Sequence, residues 1–168
     1  AGYIEMFLRA AKEMYGLNAQ IEVSNLKFSK AIYLSSDAKI DIQLSYAPAT
    51  GKLDVVSKPY DSHENNWTLN AEAKLQMRHF DKNVLLSPSE IIARCPAHFH
   101  SEQLYRHFRT LGLEYGSLFQ GFDGLYQGTD EVLMTIDIKD EIRSSLADYQ
   151  LHPVLGDLCL QAIAATLP

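Results

Sequence analysis

The sequence predicts an α+β protein in which long helices are wrapped by antiparallel β-sheets. Three observations predict this class. Apolar residues recur at helical spacing over residues 3–15, rough apolar–polar alternation follows as far as residue 77, and an apolar run over residues 155–167 resembles a second helix. Two apolar helices, each bracketed by strand-like segments, suggest two similar halves packed together.

The first half is predicted to open with a helix over residues 3–15, which Gly16 ends. Segments rich in β-branched and aromatic residues then predict five strands, over residues 21–28, 31–34, 40–46, 53–57 and 67–77. Turn formers separate them, such as the PATG run at residues 48–51. This half therefore reads as one helix followed by an antiparallel sheet.

The second half follows a polar connector at residues 78–100, in which residues 87–90 have capping-box spacing ahead of a short helix. A helix is predicted over residues 102–111. Strand-like runs at residues 115–126 and 132–138 come next, joined by a hairpin at Gly128-Thr129-Asp130. The apolar helix at residues 155–167 completes the order.

Composition excludes several classes of function. A net charge of -6 in 168 residues, with a pI near 5.4, argues against nucleic-acid binding, which needs clustered basic residues. No apolar run approaches the ~20 residues that cross a bilayer. Cys95 and Cys159 lack CxxC spacing and are expected to be reduced thiols of a cytoplasmic protein. The closest histidine pair, His98 and His100, lies in the polar connector and is not expected to bind metal.

The strongest chemical signal is LHPVLGDLCLQ at residues 151–161, where Asp157 is a lone carboxylate in an apolar run entering a helix. Burial disfavours the charged form of a carboxyl group, which suits such a group to hold a proton near neutral pH. Gln161 lies four residues further along, on the same helix face, where its amide is placed to orient Asp157. This pattern is typical of a general acid with a positioning partner. The alternative is that Asp157 caps the helix or interacts with its dipole.

A second signal is LEYGSLFQ at residues 113–120. Gly116 allows close backbone approach or an unusual dihedral, and Tyr115 offers a hydroxyl on a rigid aromatic arm. The alternative is that a strand starts here and that Tyr115 and Phe119 pack in the core.

These stretches resemble the motifs of polyketide synthase dehydratase domains. HPVLGDLCLQ is similar to the family's HPxLxDxxxQ motif, and YGSLFQ is similar to its YGPxFQ motif. The opening AGYIEM resembles the segment that follows the family's HxxxGxxxxP motif, and residues 104–113 fit the usual lead-in to YGPxF. The likeness covers nearly the whole chain.

The resemblance implies a double hotdog fold and the removal of water from a 3-hydroxyacyl thioester held on an acyl carrier protein. A histidine of the first hotdog takes the proton beside the thioester carbonyl, and an aspartate of the second, here Asp157, protonates the departing hydroxyl. Gln161 then orients Asp157, and Tyr115 is a positioning residue beside the active site. Four further residues are expected at the substrate: Gly116, Phe119, His152 and Pro153. For His152 and Pro153, shaping the turn before Asp157 is part of that expectation.

The resemblance also implies partners and boundaries. The expected partners are the acyl carrier protein with its phosphopantetheine arm, other domains of the synthase and a second copy in a homodimer, without nucleic acid, membrane, metal or organic cofactor. We expect residues 1–77 to be the rest of a first hotdog, 78–100 a connector and 101–168 the start of a second hotdog. The fold is then incomplete at both ends, and the chain alone is expected to be inactive because the catalytic histidine precedes it.

The chain departs from the family pattern at Ser117, where proline is usual, and at Gly156, where leucine is common. Neither departure removes a reacting group. Two other functions stay open: a related double-hotdog cyclase or isomerase, of the product-template or pyran-forming kind among others, and a non-catalytic structural or acyl-binding domain of the synthase.

Overall fold

The computed structural model describes residues 1–16, 19–37, 39–62, 66–79 and 86–165. The chain divides into two compact units. The first unit is Tyr3–Asp81, and the second unit is Lys82–Pro168 together with Ala1–Gly2. Each unit combines one or more helices with one antiparallel sheet, in agreement with the predicted α+β class.

The first unit contains one helix and a four-stranded sheet. Helix α1 spans Gly2–Tyr15, and the strands are β1 (Ile21–Phe28), β2 (Ile40–Ala47), β3 (Lys52–Pro59) and β4 (Thr68–Met77). The spatial order is β1-β4-β3-β2, and every neighbouring pair is antiparallel. The predicted helix and four of the five predicted strands are confirmed.

The core of the first unit lies between α1 and the sheet. Phe7 and Ala11 of α1 pack against inward-facing residues of β3 and β4, among them Leu53, Val55 and Ala71, all of which are buried. Burial alternates along β3, as the period of two in a strand requires. The apolar pattern of the sequence therefore sets the face on which α1 lies.

The predicted strand at residues 31–34 is wrong. The backbone amides of Ser29 and Lys30 donate to the Asn70 carbonyl at 2.8 and 3.1 Å, and no strand follows them. Because the two amides share one acceptor, the regular pairing of β1 with β4 ends here, after Phe28. Tyr33 and Leu34 are 84% and 77% exposed.

The second unit contains four α-helices and a three-stranded antiparallel sheet, counted over the residues that the structure describes. Its elements are α2 (Pro88–Arg94), β5 (Ala97–His100), α3 (Ser101–Thr110), β6 (Phe122–Gln127), β7 (Val132–Ile136), α4 (Asp140–Arg143) and α5 (Pro153–Ala164). Short 3₁₀ turns at Ser117–Phe119 and Leu146–Asp148 connect them. Phe108, Leu125 and Leu158 bring α3, β6 and α5 together in one buried core.

The second half differs from the prediction in three places. The first is α4, which lies where no element was predicted. The run at residues 115–126 is a 3₁₀ turn followed by a strand, not a single strand, because the chain turns back on itself where the Phe119 amide donates to the Gly116 carbonyl at 2.9 Å. The end of the predicted connector 78–100 carries α2 and β5, and β5 pairs with β6. The boundaries of the two predicted hotdogs remain a prediction.

Three local predictions in this half are confirmed or corrected. The helix predicted over residues 102–111 is α3, and the hairpin at residues 128–130 joins β6 to β7, with the Gly128 amide donating to Glu131 at 2.9 Å. The predicted short helix is α2, but the Ser87 side chain forms no cap because its hydroxyl bonds to Ser89.

Among the described residues, no helix is both long and apolar enough to cross a membrane.

Candidate active site

Helix α5 begins with a side-chain cap at His152. The His152 Nδ1 accepts a hydrogen bond from the Val154 amide at 3.2 Å, and Pro153 occupies the first helical turn, where its missing N–H costs nothing. The His152 Nε2 lies 3.4 Å from the Ser145 hydroxyl, and the Tyr149 ring packs edge-on at 4.7 Å. His152 and Pro153 therefore start α5. Their predicted contact with substrate stays a prediction.

Asp157 lies one turn inside α5, so it is not the residue that caps the helix. The capping alternative is therefore wrong. Asp157 is half-buried, and its Oδ2 accepts a hydrogen bond from the Gln161 Nε2 at 2.7 Å. Gln161 is 1% exposed. The contact between these two side chains, expected from their four-residue spacing, is thus present.

The Gln161 amide is held from its other side by a main-chain oxygen. Its Nε2 also donates to the Phe119 carbonyl at 3.2 Å, in the 3₁₀ turn. The same carbonyl accepts from the Tyr105 hydroxyl at 3.2 Å, and that hydroxyl accepts from the Phe122 amide at 3.3 Å. We call Asp157, Gln161, the Phe119 carbonyl and Tyr105 the Asp157 network. It joins α3, the 3₁₀ turn and α5.

The charge of Asp157 affects the pKa of two tyrosine hydroxyls. Burial raises the pKa of Tyr115, and the nearby charge of Asp157 raises it further. Burial likewise raises the pKa of Tyr105, hydrogen bonds from the backbone of Phe122 and Gly121 oppose that rise, and the charges of Tyr115 and Asp157 add to it. Both hydroxyls therefore remain protonated near neutral pH and available as donors.

Tyr115 is half-buried in the aromatic part of the core. Its ring meets Phe108 and Tyr105 edge-on, with centroids 5.4 and 6.2 Å apart. The Gln120 side chain closes the turn by donating to the Tyr115 carbonyl at 2.6 Å. The expected core packing of Tyr115 is therefore present, and it brings the phenol close enough to Asp157 for the carboxylate to influence its pKa.

The other residues of the turn have ordinary backbones. Gly116 has φ -67 and ψ 163, so the unusual dihedral expected there is wrong, and an added Cβ would meet nothing within 4 Å. The open space leaves room for a ligand to approach. The Phe119 side chain packs against the core, and the Ser117 carbonyl accepts a hydrogen bond from Lys139. The predicted substrate contacts of Gly116 and Phe119 stay predictions.

Tyr105 is the network residue that sequence reasoning missed. The sequence places it in the lead-in at residues 104–113 and predicts no role for it. Its position three residues before Phe108 indicates a core-facing residue of α3. Nothing in the sequence identifies its partners, because both are main-chain groups.

The histidines do not assemble a metal centre in the part of the chain that the structure describes, where no group of three or more His, Cys, Asp or Glu side chains has the required arrangement. His98 and His100 lie on β5 and not in a connector. Their rings are 4.5 Å apart, and His98 stacks on Tyr126 at 4.3 Å.

The family model of the polyketide synthase dehydratase N-terminal domain matches residues 85–168, the C-terminal half of the chain. Among curated proteins, polyketide synthase PksM of Bacillus subtilis is 28% identical over 168 residues, covering 95% of this chain and 4% of that protein. The phthioceranic/hydroxyphthioceranic acid synthase of Mycobacterium tuberculosis is 25% identical over 169 residues, covering 98% of this chain and 8% of that protein. The chain therefore spans a small part of these relatives.

Solved structures of dehydratase domains also match this chain, which covers a larger share of their length than of the curated relatives. The dehydratase domain from the CurF module of the curacin polyketide synthase matches with a TM-score of 0.84 and 26% identity, covering 99% of this chain and 60% of that one. The CurK dehydratase domain matches with a TM-score of 0.83 and 27% identity, covering 97% and 60%. These likenesses confirm the hotdog fold.

The fold and the family match define the class of protein as a hotdog-fold dehydratase domain. Within that class, the chain belongs to the polyketide synthase dehydratase family.

Proposed function

We propose that the chain is the part of a dehydratase that supplies the general acid for removing water from a 3-hydroxyacyl thioester. The observation that carries the proposal is the 2.7 Å hydrogen bond from Gln161 Nε2 to Asp157 Oδ2. Because the donor amide is almost fully buried and has a second acceptor, it fixes one carboxyl oxygen in place. An oriented acid is what a poor leaving group requires.

The proposed reaction is the elimination of water across C2 and C3 of the acyl chain. A base outside the residues assigned here takes the proton from C2 of the acyl chain, and that electron pair forms the C2–C3 double bond. The C3–O bond breaks, and Asp157 gives its proton to the departing hydroxyl, which leaves as water. Since Oδ2 accepts from Gln161, the proton that is transferred is carried by Oδ1. The product is an enoyl thioester.

The remaining site residues have supporting roles in this proposal. Tyr115 contributes a phenol whose pKa the charge of Asp157 raises, and Gly116 leaves open space for the acyl chain. The substrate is delivered on the phosphopantetheine arm of an acyl carrier protein, within a multidomain synthase of the kind that the curated relatives are. The proposed reaction is acid–base chemistry carried by side chains, without a metal or organic cofactor.

Two of the similar structures are described as inactive mutants of the CurK dehydratase. One carries a histidine-to-phenylalanine substitution and the other an aspartate-to-asparagine substitution. Loss of activity in that enzyme on neutralising an aspartate supports the use of a carboxyl group here.

The proposal is tested with Asp157→Asn in the full-length protein, given a 3-hydroxyacyl pantetheine thioester. Formation of the enoyl thioester is followed by mass spectrometry. We expect kcat to fall by about 10²–10⁴-fold, the usual contribution of general acid–base catalysis. Asp123→Asn, at an exposed carboxylate of β6, is the matched control and is expected to keep full activity. An Asp157→Asn variant as active as that control would remove Asp157 from its assigned role.

The same assay separates the alternatives. A cyclised product from the wild-type protein would indicate a cyclase, a shifted double bond an isomerase, and no turnover a non-catalytic domain. Because the proposal assigns no base to these 168 residues, the chain on its own is expected to give no enoyl thioester. Measurable turnover by that chain would contradict this expectation.

A further inference from the structure

We propose that Tyr105 is a positioning residue for the general acid, acting through the Phe119 carbonyl and Gln161 on Asp157. The inference rests on the proposed function and extends it to α3, an element that carries none of the motif residues. Tyr105 is a positioning residue and not a catalytic one, because its hydroxyl bonds to backbone groups and not to the carboxyl group.

The Tyr105 hydroxyl ties together the two ends of a short connection. It donates to the Phe119 carbonyl at 3.2 Å and accepts from the Phe122 amide at 3.3 Å. The ring is 6% exposed and stacks on the Phe122 ring, with centroids 5.6 Å apart and an interplanar angle of 24°. The packing of the ring thus holds the hydroxyl in place. The two hydrogen bonds of that hydroxyl fix the connection between the 3₁₀ turn and β6.

The Phe119 carbonyl matters because the Gln161 amide is held only through its nitrogen. One Nε2 hydrogen goes to Asp157 at 2.7 Å and the other to Phe119 at 3.2 Å. The Gln161 Oε1 is buried without a partner among the described residues. A rotated amide would place Oε1 against two acceptor oxygens, so the observed orientation is the favourable one.

Removing the Tyr105 hydroxyl is therefore expected to loosen the acid without touching the substrate. The Phe122 amide loses its acceptor, the Phe119 carbonyl loses one of its two donors, and Gln161 gains freedom to move. Small displacements of a reacting group are costly in rate. We expect Tyr105→Phe to lower kcat about tenfold while KM is unchanged, since an interaction outside the substrate-binding surface does not alter ground-state binding.

The first experiment compares Tyr105→Phe with Tyr126→Phe in the full-length protein. Tyr126 lies on β6, and its ring stacks on His98 outside the Asp157 network. Tyr126→Phe also removes one tyrosine hydroxyl and is therefore the matched control. Both variants are combined with Gln161→Met. If Tyr105 acts through Gln161, Tyr105→Phe has little further effect on kcat in that background, whereas independent effects would multiply. Multiplying effects, or equal kcat values for the two tyrosine variants, would overturn the proposal.

The second experiment needs no turnover. Exchange of the Gln161 side-chain amide hydrogens with solvent is measured by ¹⁵N NMR in the same proteins. Tyr105→Phe is expected to speed this exchange about tenfold, because local opening becomes easier, and Tyr126→Phe to leave it unchanged. Unchanged exchange in Tyr105→Phe would contradict the role of Tyr105 alone. A wild-type protein that does not dehydrate the thioester would contradict the proposed function instead.

Discussion

Each unit directs a buried carboxamide and a tyrosine hydroxyl at one main-chain carbonyl. In the first unit, the Lys30 carbonyl accepts from Tyr3 at 3.0 Å and from Asn70 at 3.3 Å. In the second, the Phe119 carbonyl accepts from Tyr105 and from Gln161, both at 3.2 Å.

The two arrangements differ in what else the amide does. The Gln161 amide has a second acceptor, the Asp157 carboxyl group, and the described residues give the Asn70 amide no second acceptor. The amides themselves are equally buried, at 2% for Asn70 and 1% for Gln161. The same local device therefore stabilises a loop in one unit and orients a reactive group in the other.

The comparison is tested most directly by replacing both amides with apolar side chains of similar size. Gln161→Met is expected to lower kcat about 10–100-fold, because Asp157 loses its donor, and Asn70→Leu to leave kcat unchanged. Each variant is expected to lose about 1 kcal/mol of unfolding free energy, measured by urea titration. Equal loss of kcat in the two variants would break the comparison.

The glycines of the two units give the next largest effect. Gly51 has φ +71, and an added Cβ would lie 2.4 Å from the Leu75 carbonyl oxygen, a backbone atom that cannot move aside cheaply. Gly51→Ala is expected to lower the free energy of unfolding by about 2 kcal/mol. Gly116→Ala meets open space and is expected to change it by less than about 0.5 kcal/mol.

The catalytic activity of Gly116→Ala tests the predicted contact between Gly116 and substrate. A fall in kcat/KM at unchanged stability would support the predicted contact between Gly116 and the acyl chain. Full activity would remove Gly116 from the substrate-binding residues.

Substitutions of His152, at the start of α5, distinguish a role in folding from a role in substrate binding. His152→Ala removes the side-chain acceptor for the Val154 amide and is expected to cost about 1 kcal/mol of unfolding free energy. His152→Asn supplies another capping acceptor and is expected to recover most of it. If stability recovers and KM remains raised, His152 also contacts substrate; if both recover, capping is its whole role.

The smallest effect concerns alkaline pH and the two tyrosines of the comparison. Burial raises the pKa of Tyr3 and of Tyr105 from the ordinary value of 10.0, against opposing backbone hydrogen bonds. A raised pKa in the folded state means that the unfolded chain releases the proton first. The stabilisation is then complete below about pH 10 and is lost as pH rises through the folded pKa.

Urea titrations between pH 8 and about pH 11 test this, on a range set by the ordinary tyrosine pKa. Tyr3→Phe and Tyr105→Phe are each expected to flatten the alkaline decline in unfolding free energy. A decline equally steep in both variants would show that other groups cause it.

Much of the fold was predictable because periodicity is a property of neighbouring residues. The apolar spacing of α1, the alternation in β3 and the turn at residues 128–130 all have local causes, and each prediction is confirmed. The strand predicted at residues 31–34 failed because the amides of Ser29 and Lys30 share the Asn70 carbonyl as acceptor, which ends the regular ladder. That acceptor lies far along the chain on β4, so no local pattern reveals it.

The site was predictable where one helix turn relates its residues. The spacing of Asp157 and Gln161 predicted a contact that the 2.7 Å hydrogen bond realises. The role of Tyr105 was not predictable, since it depends on the Phe119 carbonyl and the Phe122 amide, groups that every residue of the chain carries. β5 was missed because its alternation covers only four residues, too few to stand out within a stretch that was assigned to a polar connector.

The acceptor at the centre of the Asp157 network is an oxygen of the polypeptide itself. Replacing the Phe119 side chain leaves that oxygen in place, provided that the 3₁₀ turn persists. A side chain at residue 119 that keeps this packing against the core therefore leaves the hydrogen bonds from Tyr105 and Gln161 to the carbonyl intact. The predicted substrate contact of that side chain and the orientation of the acid by that carbonyl are thus separate properties of one residue.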